Sequence, residues 1–331
     1  MSRTKHIFTA EPLECRDWST VAALFRIAPH KPFSGWGKWS DLELSELADR
    51  RARSIFENER TTSWLVGDQN NPHAFGSLSV LDWDSEQLQR RAARIEYLVA
   101  AGNYHEQFER KDSLLKFILR TAAEKGLEHL SVRVDASDVS SLHALEGNGF
   151  QTVDGILTFG FDVANLNPTL PVGDFDIRIA GSDDAEAAAE LARSAYAFDR
   201  FHADPEIADK YADNLHATWV RNSCLGFAAD AVLVAEDNHG LLGYVTSRLQ
   251  NDAKSILGGA IGVIVLVAVA KRARGRGVGK AITLASLKWF QDQNAPFVEV
   301  GTQFRNLPAT RLYQNCGFRL VASSISLRSV L

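Results

Sequence analysis

Long apolar runs are what this 331-residue chain most lacks. The longest, 260–270, falls well short of the ~20 residues a membrane-crossing helix requires, so no bilayer-spanning role is expected. Cysteine is scarce. Cys15, Cys224 and Cys316 are an odd number in a large chain, which reads as free thiols in a reducing compartment and argues against a disulfide framework. No apolar segment follows Met1 over the opening residues, so secretion is not expected and a cytoplasmic location is. Nor is there an excess of positive charge. Thirty-six Lys plus Arg against 41 Asp plus Glu leave a net charge of −5, so nucleic acid and anionic membrane are not expected partners, although a local basic loop can still hold a phosphate. No group of His, Cys and Asp has metal-ligand spacing, and no metal is expected. What is present is ordinary for a globular protein: 45% hydrophobic and 23% charged residues, with length for two domains at about 150 residues each.

The two halves resemble each other. Around residue 65 the chain reads LVGDQNNPHAFGSLSV and around 233 LVAEDNHGLLGYVTS, each an apolar strand, a polar turn and a second strand with an early glycine. SLHALEGNGF ends at Phe150 and ATRLYQNCGF at Phe318, 168 residues apart, while the hairpin glycines Gly76 and Gly243 lie 167 apart. Two landmarks with one offset point to duplication of a module. The boundary is expected in 165–174, where NLNPTLPVGD collects Pro, Gly and Asn, giving domains 1–168 and 174–331.

The second half parses into strands at 176–180, 232–236, 242–247, 261–269 and 297–302 and helices at 183–195, 205–221, 278–293 and 307–315, closing with a strand pair around Ser326. The β-branched run 261–269 predicts a central strand buried on both faces. The fold class is α+β: two tandem modules, each a central mixed β-sheet flanked by helices.

The strongest chemical signal follows that central strand, where Val269 is succeeded by Ala-Lys-Arg-Ala-Arg274-Gly275-Arg276-Gly277-Val278-Gly279-Lys280. Three glycines in five positions let a backbone approach an anion, the N–H groups of the helix start point at it, and Arg274, Arg276 and Lys280 add charge. A Walker loop would need Gly at Arg274 and Ser or Thr at Ala281, and the dinucleotide fingerprint would need Gly at Lys280, so neither nucleotide motif fits. A solvated basic turn is the alternative for this loop alone. A second motif runs from Asn306 to Phe318: Asn306 caps a helix, Pro308 is tolerated in its first turn, Gly317 follows its end, and Tyr313 shares a face with Asn306. By itself a tyrosine on a short helix is more often a half-buried packing residue than a catalyst.

Together these motifs resemble the Gcn5-related N-acetyltransferase superfamily. Its Arg/Gln-x-x-Gly-x-Gly stands here as Arg274, Gly277 and Gly279, and its Asn-x-x-Ala-x-x-Leu-Tyr-x-x-x-Gly-Phe runs without gaps from Asn306 through Ala309 and Tyr313 to Phe318. The resemblance covers about 174–331. It implies acetyl-CoA as cofactor, its pyrophosphate on the backbone of 274–280, its pantetheine along Val267 and Val269, and Tyr313 as the acid for the departing thiolate. A homodimer is the assembly considered. The first half departs from the pattern: at the same offset it offers Glu106, Glu109 and Lys111 with no glycine, and Leu145 in place of the tyrosine. It reads as a degenerate, non-catalytic copy. The stretch Arg200-Phe-His202-Ala-Asp204-Pro, with Tyr211, Trp219 and Gln303, resembles the dTDP-fucosamine acetyltransferase branch, which implies a nucleotide-linked 4-amino-4,6-dideoxy sugar as acceptor. Ordinary helix packing is the alternative for these residues. His202, Trp219 and Gln303 are the candidate substrate contacts, and His202 and Glu236 the candidate bases. Other small-molecule amines (an amino acid, a polyamine or a drug), or a non-enzymatic acyl-CoA-binding scaffold, are the competing functions.

Overall fold

A computed structural model describes residues 12–68, 70–166 and 173–331. In chain order the first half forms β1 (Leu13–Glu14), α1 (Trp18–Ile27), α2 (Asp41–Phe56), β2 (Thr61–Asp68), β3 (Asn71–Val80), α3 (Asp82–Leu88), β4 (Ala92–Ala100), α4 (Tyr104–Glu124), β5 (His129–Asp135), α5 (Val139–Gly147) and β6 (Gln151–Asp162). The second half forms β7 (Asp176–Ile179), α6 (Ala185–Ala195), α7 (Asp209–Cys224), β8 (Ala231–Asp237), β9 (Gly240–Gln250), α8 (Lys254–Leu257), β10 (Ile261–Val269), α9 (Val278–Asp292), β11 (Phe297–Gln303), α10 (Leu307–Asn315) and β12 (Arg319–Val330). The mixed-sheet α+β reading holds.

The chain divides into two compact units, Met1–Val153 with Ser324–Leu331, and Asp154–Ser323. This differs from two consecutive domains 1–168 and 174–331, and the expected linker 165–174 lies partly outside the described residues. The reason is an exchange of strands. In unit 1 the ladder runs β1, β2, β3, β4, β5 and the end of β12, with Ser324–Val330 antiparallel to Asp135–His129. In unit 2 it runs β7, β8, β9, β10, β11 and the end of β6, with Phe297–Gln303 antiparallel to Asp162–Ile156. Each half therefore contributes the sixth strand of the other unit. The expected strand pair around Ser326 is accordingly one long strand, β12, whose ladder partner is β5.

The ladders repeat in detail. In both units the fourth and fifth strands are parallel, and every other ladder pair is antiparallel. In both, the fourth strand carries an irregularity, between its pairings with Ser77 and Leu78 in unit 1 and between Ile264 and Leu266 in unit 2. In both, the parallel pairing stops there, at Ile95↔Val132 and Ile264↔Val300. A bulge re-aims a strand and ends its pairing, so beyond Ile264 β10 parts from β11.

Burial along β10 alternates rather than being complete on both faces. Ile264, Leu266 and Ala268 are buried while Val263, Val265, Val267 and Val269 are half-buried. The β-branched run marked the strand correctly but not the partial exposure of Val263, Val265, Val267 and Val269. Helix α7 begins at Asp209 and not at Pro205, because the Asp204 carboxylate ties up the Glu206 N–H in a turn ahead of it.

Candidate active site

The loop between β10 and α9 is built to leave amides unspent. The Ala270 N–H donates to the Leu242 carbonyl at 2.8 Å and that of Ala273 to the Ala270 carbonyl at 2.8 Å, which fix the loop's entry. From there to Ala281, whose N–H returns to the Gly277 carbonyl, the N–H groups of Gly275, Gly277, Val278, Gly279 and Lys280 have no acceptor among the described residues. Gly277 is the N-cap of α9 and provides no side-chain cap. A helix start with uncapped amides carries roughly half a positive charge and attracts anions. Gly275 and Gly277 sit at φ +78° and +82°, where side chains are disfavoured, and a Cβ on either would point into open space.

The cations divide into two groups. Arg272 is clamped on Asp237 at 3.0 Å and on the carbonyls of Gly240 and Leu241, and Arg276 reaches the same carboxylate at 3.3 Å. The Arg272 bond, with help from the His239 N–H and Arg276, holds Asp237 well below the usual carboxylate range. Arg276 thus braces the loop. Arg274 and Lys280 are exposed and form no ion pair among the described residues. Val267 and Val269 lie on the stretch of β10 that no longer pairs with β11, so their strand edge is open on that side.

Unit 1 answers the same position differently. Only 101–103 separate β4 from α4, whereas 270–277 separate β10 from α9. The residues expected to replace the loop, Glu106 to Lys111, lie inside α4: the loop has been deleted, not made bulky. Asn103 caps α4, its side-chain oxygen accepting from the N–H groups of His105 and Glu106, while the Glu106 carboxylate accepts from the Asn103 N–H at 2.9 Å. A Cβ on Gly102 would meet that carboxylate at 2.6 Å. An acidic side chain already occupies this helix start. Leu145 does take the place of the tyrosine, at the seventh position of α5 as Tyr313 is of α10.

Asn306 and Ala309, which the resemblance also implies as cofactor contacts, meet at the start of α10, where the Asn306 side-chain oxygen accepts from the Ala309 N–H at 3.2 Å. Tyr313 is 4% exposed and packs between Phe159 and Phe318, at ring distances of 6.2 and 5.8 Å. Burial pushes its phenol well above the ordinary value, so it is protonated. Its hydroxyl makes no hydrogen bond among the described residues and keeps its proton available. Gln303, at the end of β11, gives its carbonyl to the Asn306 N–H and stays with α10.

His202 and Trp219 join a different group. His202 hydrogen-bonds through Nδ1 to Asp199 and through Nε2 to Asp213 at 3.1 Å. Carboxylates only accept, so both ring nitrogens carry protons. The Asp199 bond, set against burial and joined by Asp213, raises its pKa to about 9. His202 is therefore an imidazolium with no lone pair to act as the expected base. Glu236 is spent as well, on Arg178 at 2.8 Å through both oxygens. The residue the sequence reading missed is His216, buried on α7, stacked on Tyr196 at 4.3 Å and flanked by Trp219 and His202. Asp199, His202 and His216 bring three ligand-type atoms within 4.8 Å of one another, a grouping not expected from spacing. The only trace of it in sequence is a histidine on the buried face of a predicted helix.

The group adjoins the open end of β10. Tyr244, opposite Ala268 in the β9–β10 ladder, shares a hydroxyl hydrogen bond of 3.1 Å with Tyr196, and Tyr196 lies within electrostatic reach of Tyr313. A helix start with free amides, an open strand edge and a protonated tyrosine nearby are the parts of an acyl-transfer site. Residues 187–318 match the model of the acetyltransferase (GNAT) family. Such enzymes generally use acetyl-CoA. Among curated proteins the chain is 27% identical over 265 residues to the spore coat polysaccharide biosynthesis protein SpsD of Bacillus subtilis strain 168, covering 80% of this chain and 82% of that one. It is 27% identical over 189 residues to the dTDP-fucosamine acetyltransferase of Escherichia coli O6:H1, covering 57% and 75%. In fold it is similar to a tandem GNAT protein from the clavulanic acid biosynthesis pathway, with a TM-score of 0.57 at 14% identity over 96% of this chain and 97% of that one. No helix of the described residues is long and apolar enough to cross a membrane.

Proposed function

We propose that unit 2 transfers the acetyl group of acetyl-CoA to a primary amine of a small molecule, and that unit 1 is a non-catalytic copy. The observation that carries this reading is the set of unspent amides at Gly275 and from Gly277 to Lys280, with open space over Gly275 and Gly277, beside the free edge of β10. Bound acetyl-CoA would supply an activated thioester. The amides of Gly275 and of Gly277 to Lys280, with Arg274 and Lys280, would hold its pyrophosphate, and the edge at Val267 and Val269 would hold the pantetheine amides. Tyr313, protonated and without a hydrogen-bond acceptor, would give its proton to the leaving sulfur, which aminolysis of a thioester needs. The same helix start in unit 1 is filled by Glu106, which supports a single working site.

The favoured acceptor is a nucleotide-linked 4-amino-4,6-dideoxy sugar. The relatives named for polysaccharide biosynthesis and for dTDP-fucosamine acetylation support that choice, as do the aromatic rings of Tyr196 and Trp219 around His216. An acceptor panel followed by free-thiol release tests it: dTDP-4-amino-4,6-dideoxygalactose is expected to turn over faster than amino acids, polyamines and aminoglycosides. Thiol release with a polyamine or amino acid, and none with any amino sugar, would overturn the acceptor assignment.

A further inference from the structure

We propose that Asp199 and His216 form the seat for the acceptor's ammonium group, and that His216 Nε2 takes its proton; this rests on the acetyl-transfer reading of unit 2. The His216 Nδ1 lies 2.8 Å from the Ala212 carbonyl, an oxygen that can only accept, so Nδ1 carries the proton and Nε2 keeps a lone pair. Burial lowers the pKa of this ring and keeps it neutral. Nε2 stands 3.9 Å from Asp199 Oδ2. Two acceptors at that distance share no proton, but a donor nitrogen about 2.8 Å from each spans them. A metal ion with bonds of ~2.1 Å would need an angle of about 140° between the same two atoms, far from tetrahedral, and the His202 nitrogens are already spent. The Tyr196 ring stacked on His216 presents its face to the imidazole and favours the charged ring once it takes the proton.

The surrounding charges are arranged for the transfer. Asp199 and His202 face His216 from the segment after α6, Asp213 from α7 itself and Tyr196 from the end of α6. Asp199 accepts the N–H groups of Phe201 and His202 on Oδ1 and the His202 ring on Oδ2, which fixes its direction. Its charge stabilises the imidazolium as it forms on His216. His202 is a positioning residue. In the balanced step the ammonium passes one proton to Nε2, and its nitrogen bonds to the acetyl carbon as the carbon–sulfur bond breaks. Tyr313 donates the proton that makes the leaving sulfur a thiol. The second proton of the nitrogen restores Tyr313, and His216 releases its own to solvent, so one proton leaves per turnover.

His216→Asn is the decisive variant, because its amide can keep the bond to the Ala212 carbonyl while Nε2 is lost. Its kcat/KM is expected to fall ~100-fold or more, with acetyl-CoA affinity unchanged and the rising limb of the pH profile gone. A second readout uses no acetyl-CoA: in protein labelled with 15N-histidine, saturating dTDP-4-amino-4,6-dideoxygalactose is expected to move the His216 Nε2 resonance from the bare toward the protonated position. Turnover by His216→Asn within about threefold of wild type overturns the assignment. So does a resonance that stays in place, or a stoichiometric divalent metal in the purified protein. If the wild type releases no thiol with any amine, the acetyl-transfer reading falls and takes this one with it. An active wild type with an indifferent variant removes this one alone.

Discussion

Tyr313 is held by its ring and spends its hydroxyl on nothing in the protein, which separates fold from chemistry at one residue. Tyr313→Phe keeps the contacts with Phe159 and Phe318 and gives up no internal hydrogen bond. The variant is expected to lose roughly ten- to a thousandfold in kcat while calorimetric affinity for acetyl-CoA stays nearly the same. A parallel loss of affinity would mean that the phenol binds rather than donates. At this scale the sequence was informative where the motif was continuous. Gly277 and Asn306 cap α9 and α10 as the motif spacing predicts, and Tyr313 falls on α10. The pairing of Arg276 with Asp237 was not legible, because the two lie 39 residues apart in sequence. His216 was invisible for a similar reason: Asp199, His202 and His216 meet only once a loop folds back on α7.

At the scale of elements, the His202 link ties the segment after α6 to α7 through Asp199 and Asp213. Its folded pKa of about 9 lies above the ~6.5 of an unfolded histidine, so the link stabilises the fold fully below about pH 6.5 and loses that contribution as pH rises through 9. Wild type is expected to lose thermal stability between pH 6.5 and 9.5 beyond any loss in His202→Gln, measured by circular dichroism melts in matched buffers. Equal slopes for the two proteins would contradict the charged state assigned here. Elements were largely legible from periodicity and caps. The departures have physical causes. A turn held by Asp204 precedes α7, which starts at Asp209, and β10, which parts from β11 at its bulge, leaves alternate residues half-buried where composition predicted full burial.

At the scale of the whole molecule, duplication was legible from the recurring offset, but the exchange of final strands was not. A strand's composition says that it pairs, not which of two similar ladders it joins. Unit 2 needs β6, which lines the full length of β11 and buries Phe159 and Phe161. Losing two buried phenylalanines costs about 3–6 kcal/mol, comparable with the ~5–15 kcal/mol stability of a typical domain. A fragment 174–323 is therefore expected to be insoluble or to lack a cooperative melt, while 154–323 folds; a cooperative melt for the shorter fragment would refute the exchange. The central claim is that one helix start is open to an anion and its counterpart is closed. Calorimetric titration of the full chain with acetyl-CoA tests it most directly. One molecule is expected to bind per chain, and Gly277→Val is expected to abolish binding. Two equivalents per chain, or an undiminished affinity in Gly277→Val, would contradict it.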